Sequence, residues 1–146
     1  MIAVPSSSTL YLADTNVYVM AANNAKARER FEEFLERHGP LPVSAVVVAE
    51  ILIGVADSSL HGRVAQALSA GTTVAAPTAD DWARAATALV RLGGEAVTRN
   101  RSFWNDALLA AQCARLGATL VTHNGADFRR LARYLGVRAV APFPWG

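Results

Sequence analysis

The chain has 146 residues, of which 52% are apolar and 18% charged, with a net charge of +2. A single domain of this length buries roughly 70% of its unfolded surface, so neither disulfides nor a structural metal are needed for folding. The composition excludes a disordered chain and a generic polyelectrolyte binder, although every base except Lys26 is an arginine, which suits bidentate phosphate contacts.

In chain order, residues 10–13 read as a short buried strand ended by the polar triplet Asp14-Thr15-Asn16, and 17–22 begins a helix. Residues 26–38 form a charged amphipathic helix with Phe31, Phe34 and Leu35 at helical spacing, stopped by Gly39-Pro40. Ser44, after Pro42, is the N-cap of an apolar helix running to 56, and 60–68 is another helix. Residues 73–76 predict a strand. Thr78 caps a helix over 80–92, with Asp80 and Asp81 in its first turn and solvated. After Gly93-Gly94, a polar loop at 98–102 leads to a helix over 103–116 that Gly117 terminates. A strongly apolar strand at 118–122 follows, then a loop at 123–126, a short helix at 127–134 and a closing strand at 137–140 before Pro142. Strands alternating with helices predict an α/β fold with a parallel sheet covered on both faces, and ligand chemistry in such sheets lies beyond the carboxyl ends of the strands.

The lone Cys113 excludes a disulfide framework and points to a reducing, cytoplasmic setting. The first ten residues lack the basic start and apolar core of a signal peptide. The densest apolar stretch, 43–55, is interrupted by Glu50 and too short for a membrane span.

Only 12 acids are present, and four of them have apolar neighbours: Asp14, Glu50, Asp106 and Asp127. A carboxylate in such company must be paired, hydrogen-bonded or bound to metal, and no base lies within nine residues of Glu50. Several carboxylates converging at one strand-end cleft raise each other's pKa values, and a divalent cation removes the conflict. Oxygen donors without a Cys pair or a spaced His favour Mg²⁺ or Mn²⁺ over Zn²⁺, and that combination serves phosphoryl-oxygen chemistry. The structural alternatives are an N-cap for Asp14, a helix-dipole partner for Asp106 and an N-cap or first-turn acid for Asp127. Glu50, mid-helix among Val and Ile, has the poorest structural excuse. Cys113, seven residues after Asp106, reads as core.

Four stretches together resemble the PIN-domain ribonucleases, and within them the VapC-type toxins of bacterial toxin–antitoxin pairs. They are Leu12-Ala13-Asp14-Thr15-Asn16, the segment 44–54 with its Glu50 and Gly54, Trp104-Asn105-Asp106 with the apolar run after it, and residues 119–128. They occur in the family's order over about 12–142, so the resemblance covers nearly the whole chain as a single domain over 1–146. It implies a three-layer PIN-like fold and a Mg²⁺-dependent endoribonuclease, Mn²⁺ being an alternative. Asp14 and Asp106 would be the principal metal ligands, with Glu50 completing the pocket directly or through metal-bound water. Many relatives carry a fourth acid where this chain has Asn124, and Asp127 either compensates or ties the loop to its helix. Asn16 and Thr122 are candidates for hydrogen bonds to a ligand carboxylate. Arg99, Arg101, Arg129, Arg130 and Arg133 would grip RNA beside the cleft. Trp104 is either a base-stacking ring or core.

A phosphotransfer receiver needs a late Lys, and the only lysine is Lys26. Haloacid-dehalogenase-type phosphatases need a second Asp at the position of Asn16, and no phosphate-binding glycine loop occurs. The remaining rival is a PIN-like module impaired in catalysis that binds RNA or protein, supported by Asn124. The apolar surplus, with the resemblance, implies a homodimer and a groove for an antitoxin, which would cover the groove or present an Arg to the acids.

Overall fold

The computed structural model describes residues 9–143. Strand β1 (Tyr11–Ala13) is followed by helices α1 (Thr15–Asn23) and α2 (Ala25–His38), each opened by an Asx side chain. Asp14 accepts from the Thr15 N–H and Asn24 from the Ala27 N–H, satisfying backbone donors that an α-helix leaves free. Strand β2 (Val43–Ser44) runs into α3 (Ala45–Ile53), capped as expected by Ser44, whose hydroxyl accepts from the Val46 N–H. A 3-10 turn (Ser58–Leu60), α4 (His61–Ser69) and β3 (Val74–Ala75) come next. Then α5 (Ala79–Leu92) opens with a reciprocal capping box between Thr78 and Asp81. The short α6 (Glu95–Thr98), α7 (Arg101–Leu116), β4 (Thr119–Val121), α8 (Gly125–Leu135) and β5 (Arg138–Val140) complete the described chain. Gly117 and Gly136 end α7 and α8 at φ 66° and 68°, a left-handed conformation that glycine adopts at little cost.

Strands β1, β4 and β5 form a parallel sheet in the order β1-β4-β5, so the late strand β4 is central. Val43 and Ser44 pair with Val74 and Ala75 in a separate two-stranded parallel sheet. Alternate strand residues face opposite ways. Leu12 and Leu120 enter one core with residues of α3, α5, α7 and α8, while Ala13 and Val121 enter another with α1 and α2. The molecule is thus three layers, helices on both faces of the parallel sheet, as the alternation of elements predicts. Among the described residues no helix is long and apolar enough to cross a membrane.

Three sequence expectations change. The segment expected as a loop at 98–102 holds the end of α6 and the start of α7. Strand β2, two residues long, is too short for a period-two signal. Asp81, expected to be solvated, is completely buried: it closes the capping box and pairs with Arg115 at 2.9 Å. The pattern missed this because Arg115 lies 34 residues away on α7. A second buried link joins the two sheets' surroundings. Gln112 of α7, fully buried, accepts from the Ser44 hydroxyl at 2.5 Å and donates to the Ala75 carbonyl at 2.9 Å.

Candidate functional site

The carboxyl end of the parallel sheet gathers acids from three elements. The Asp14 N–H donates to the Val121 carbonyl, so the ladder between β1 and β4 delivers Asp14 to the sheet edge. Glu50 arrives on α3 and Asp106 on α7. Asp14 and Asp106 are buried, Glu50 half-buried.

Asp14 is held by three donors. Oδ1 accepts from the Thr15 N–H at 2.8 Å, and Oδ2 accepts from Asn16 Nδ2 at 3.1 Å and Thr122 Oγ1 at 2.8 Å. The orientation of both side chains is fixed from outside. Asn124 N–H donates to Thr122 Oγ1 at 2.9 Å, directing the hydroxyl proton toward Asp14. His123 N–H donates to Asn16 Oδ1 at 3.2 Å, which turns the amide nitrogen toward the same carboxylate. Thr15 reaches the other way, its Oγ1 donating to Glu50 Oε1 at 3.0 Å. The triplet Asp14-Thr15-Asn16 therefore serves two acids.

Electrostatics couple the set. Burial raises the Asp14 pKa above the ordinary carboxylate value, against the lowering effect of its hydrogen bonds. Burial also raises Glu50, offset by Thr15 and Asn105 and reinforced by Asp14. Asp106 is pushed up to about 8 by burial and then by the negative charges of Asp14, Glu50 and Asp127, and no donor counteracts them. Among the described residues, none of Asp14, Glu50 and Asp106 forms an ion pair.

Among the described residues no group of three or more His, Cys, Asp or Glu side chains is placed to hold a metal ion. The acids are electrostatic neighbours without a finished coordination sphere. By donor chemistry they fit a hard divalent cation: all offer oxygen, and burial disfavours the ionised form of each, which a cation would offset.

The structure also shows where the other expected residues stand. Asn16 and Thr122 meet at Asp14. Asn124 donates through Nδ2 to Asp127 Oδ2 at 2.9 Å, so Asp127 ties the loop to α8 while lying within electrostatic reach of Asp106. Arg129 borders a cavity of about 470 Å³ with Thr122, His123 and Gly125. Arg130 pairs with Asp127 at 3.8 Å and covers the Phe103 ring. Arg99 is exposed after α6, and the Arg101 side chain lies outside the described residues. Arg133, expected beside the cleft, instead lies over Tyr134 near the far end of α8. Trp104 packs against Trp82, ring centroids 5.7 Å apart. Cys113 is fully buried and its thiol pushed up to about 12, consistent with a core residue. Sequence reasoning passed over Thr15 and Asn105, the two donors to Glu50. Each is the immediate neighbour of a selected acid, and that adjacency was the available signal.

A family model described as the PIN domain matches residues 11–134. Among solved structures, VapBC2 from Rickettsia felis bound to a promoter DNA fragment has 22% identity and a TM-score of 0.65, covering 91% of this chain and 98% of that one. VapBC-1 from nontypeable Haemophilus influenzae has 22% identity and a TM-score of 0.68 at the same coverages. A toxin–antitoxin complex from Klebsiella pneumoniae has 21% identity and a TM-score of 0.60, covering 81% and 89%. At these identities the likeness is one of fold. A comparison with curated proteins gave no match.

Proposed function

The chain belongs to the PIN-domain family, and from that premise we propose that it is a Mg²⁺- or Mn²⁺-dependent endoribonuclease and the toxin of a toxin–antitoxin pair. The observation that carries this reading is the coupled set Asp14, Glu50 and Asp106 at the carboxyl edge of the parallel sheet, with pKa values all raised. Asp14 and Asp106 are the principal metal ligands, Glu50 completes the acidic pocket, and Asp127 supplies the fourth carboxylate in place of Asn124. When bound, the metal supplies charge neutralisation and water activation for in-line displacement at phosphorus.

The chain's own groups do the remaining work. Thr15, Asn16 and Thr122 keep the Asp14 oxygens oriented and offset part of the burial that raises its pKa. Asp106 must release its proton to become a ligand, so metal uptake is coupled to deprotonation. Glu50, with Thr15 and Asn105 donating to it, accepts the proton of the attacking water. Arg129, beside His123 in the adjoining cavity, neutralises backbone phosphate, and Arg99, Arg101 and Arg130 extend that role along the strand.

The setting is the cytoplasm, where the single thiol stays reduced. Two apolar surfaces support the partners. Exposed Ile53 and Trp82 border a cavity of about 270 Å³ beside Glu50, which suits a homodimer along α3 and α5. A hollow of about 250 Å³ lined by Tyr18, Phe31, Leu35, Leu41 and Leu68 suits an apolar antitoxin segment. The solved structures named above include a toxin–antitoxin complex, which supports an antitoxin partner here.

The test is cleavage of RNA with Mg²⁺, with a chelator, and by Asp14→Asn and Asp106→Asn variants. Loss of at least 10²-fold in each variant and with chelator is expected. Unchanged cleavage in both variants would overturn the mechanism. RNA binding with no metal-dependent cleavage in the wild type would favour the catalytically impaired module instead.

A further inference from the structure

A second cationic feature lies away from the acids. Strands β4 and β5 are parallel, so α8 must carry the chain from the carboxyl edge of the sheet back to its amino edge, about 16 Å over 11 residues. At that far end the last turn of α8 lies against the flank of α5 from Ala83 to Arg91. A hollow of about 300 Å³ there is lined by Ala83, Arg84, Thr87, Arg91 and Tyr134. Arg91 approaches the Tyr134 ring with its guanidinium carbon 5.8 Å from the centroid, and Arg133 does so at 5.9 Å.

All three cations stand near helix C-termini: Arg91 in the last turn of α5, Arg133 in the last turn of α8, and Arg84 beside the end of α8. Arg84 Nη2 donates to the Leu135 carbonyl at 3.5 Å and so serves the C-terminus of α8. Arg91 and Arg133 are turned to the ring instead, and both are exposed. Among the described residues no carboxylate lies within 4.0 Å of any of the three arginines. A guanidinium that uses its flat face on an aromatic ring keeps its N–H edge free, and that edge matches a phosphate bidentately. The Tyr134 ring holds both guanidinium groups beside one another at the surface.

We propose that Arg84, Arg91, Arg133 and Tyr134 form a second RNA-binding site that grips the strand's phosphates remote from the bond to be cut. The proposal rests on the ribonuclease reading for the identity of its ligand. It favours a nucleic-acid strand over an acidic peptide because the proposed substrate is itself a polyanion whose phosphates match guanidinium edges bidentately. An RNA must extend past the cleavage site to touch both, so the site selects for longer or folded RNA.

The experiment measures binding in EDTA, so that it does not depend on catalysis. Wild-type protein and an Arg91→Ala/Arg133→Ala double variant are titrated with single-stranded RNAs of about 6 and about 30 nucleotides over a range of salt. The expected result is a fall of about tenfold in the ratio of long-RNA to short-RNA affinity. The slope of log affinity against log salt for the long RNA should shrink by about 1.4, two contacts' worth for a single strand. Arg91→Lys should recover part of the loss, which a misfolded variant would not. An unchanged ratio and slope overturn the proposal, as does loss of a protein partner's binding while long-RNA binding stays intact. Failure of wild-type cleavage in Mg²⁺ would count against the ribonuclease reading alone, since the binding comparison is read without metal.

Discussion

Thr122 donates to Asp14 while its own oxygen accepts from the Asn124 N–H, so one hydroxyl links the geometry of a loop to a carboxylate. Removing that hydroxyl at a fully buried position leaves Asp14 a donor short. Thr122→Val should weaken metal binding by about 10- to 100-fold, the range for residues that orient ligands, as read by calorimetry. The pH dependence follows from the acids themselves. Asp14, Glu50 and Asp106 bind protons more tightly in the folded than in the unfolded chain. For Asp106 the stabilisation is therefore fully present below the unfolded value of 3.8 and is lost as pH rises through about 8. Metal-free protein should lose on the order of a few kcal/mol across that window, and Asp106→Asn should flatten the profile, as measured by denaturant midpoints in chelator. Metal affinity should rise over the same range. Asp14, Glu50 and Asp106 were legible in the sequence because an acid among apolar neighbours is conspicuous. Thr15 was not, since a threonine after an aspartate reads equally well as the first turn of a helix.

Elements hold the acids apart as well as together. Ser44 starts the helix that carries Glu50, Gln112 lies on the helix that carries Asp106, and their buried hydrogen bond fixes one helix against the other. Gln112→Leu would strand the Ala75 carbonyl and the Ser44 hydroxyl, each costing about 1–3 kcal/mol of stability if left unsatisfied. A double-mutant cycle with Ser44→Ala, read by denaturant unfolding, should show a coupling of at least about 0.5 kcal/mol. Asp81 works similarly at the start of α5. Asp81→Ala removes half of a capping box and the partner of Arg115, which is itself a third exposed. The expected loss is about 1–3 kcal/mol in the same assay. Caps were legible element by element: Ser44 and Thr78 stand where a helix must begin, and Gly117 where one must end. The Gln112 and Asp81 links were not, because local pattern carries no information about partners 68 and 34 residues away.

For the whole molecule, charge is divided rather than balanced. A net charge of +2 averages an acidic cleft at one edge of the sheet and an arginine cluster at the other. A ligand that binds only the folded state stabilises it by mass action. Mg²⁺ or Mn²⁺ at about 100 times its dissociation constant should add about 2.7 kcal/mol, seen as a rise in Tm that Asp14→Asn abolishes. The layered fold was legible as a whole from the alternation of strands and helices. The separate pairing of β2 with β3 was not, because two-residue strands leave no periodic trace.

The central position of β4 has a consequence for synthesis of the chain. Among the described residues β1 pairs only with β4 in its sheet, and Asp14 accepts from Thr122, which lies 108 residues further on. A ribosome therefore carries a chain whose first acid has no supporting strand until nearly the last elements emerge, and contacts so distant in sequence form late. The carboxylate cluster can therefore assemble only after β4 has been made and has paired with β1.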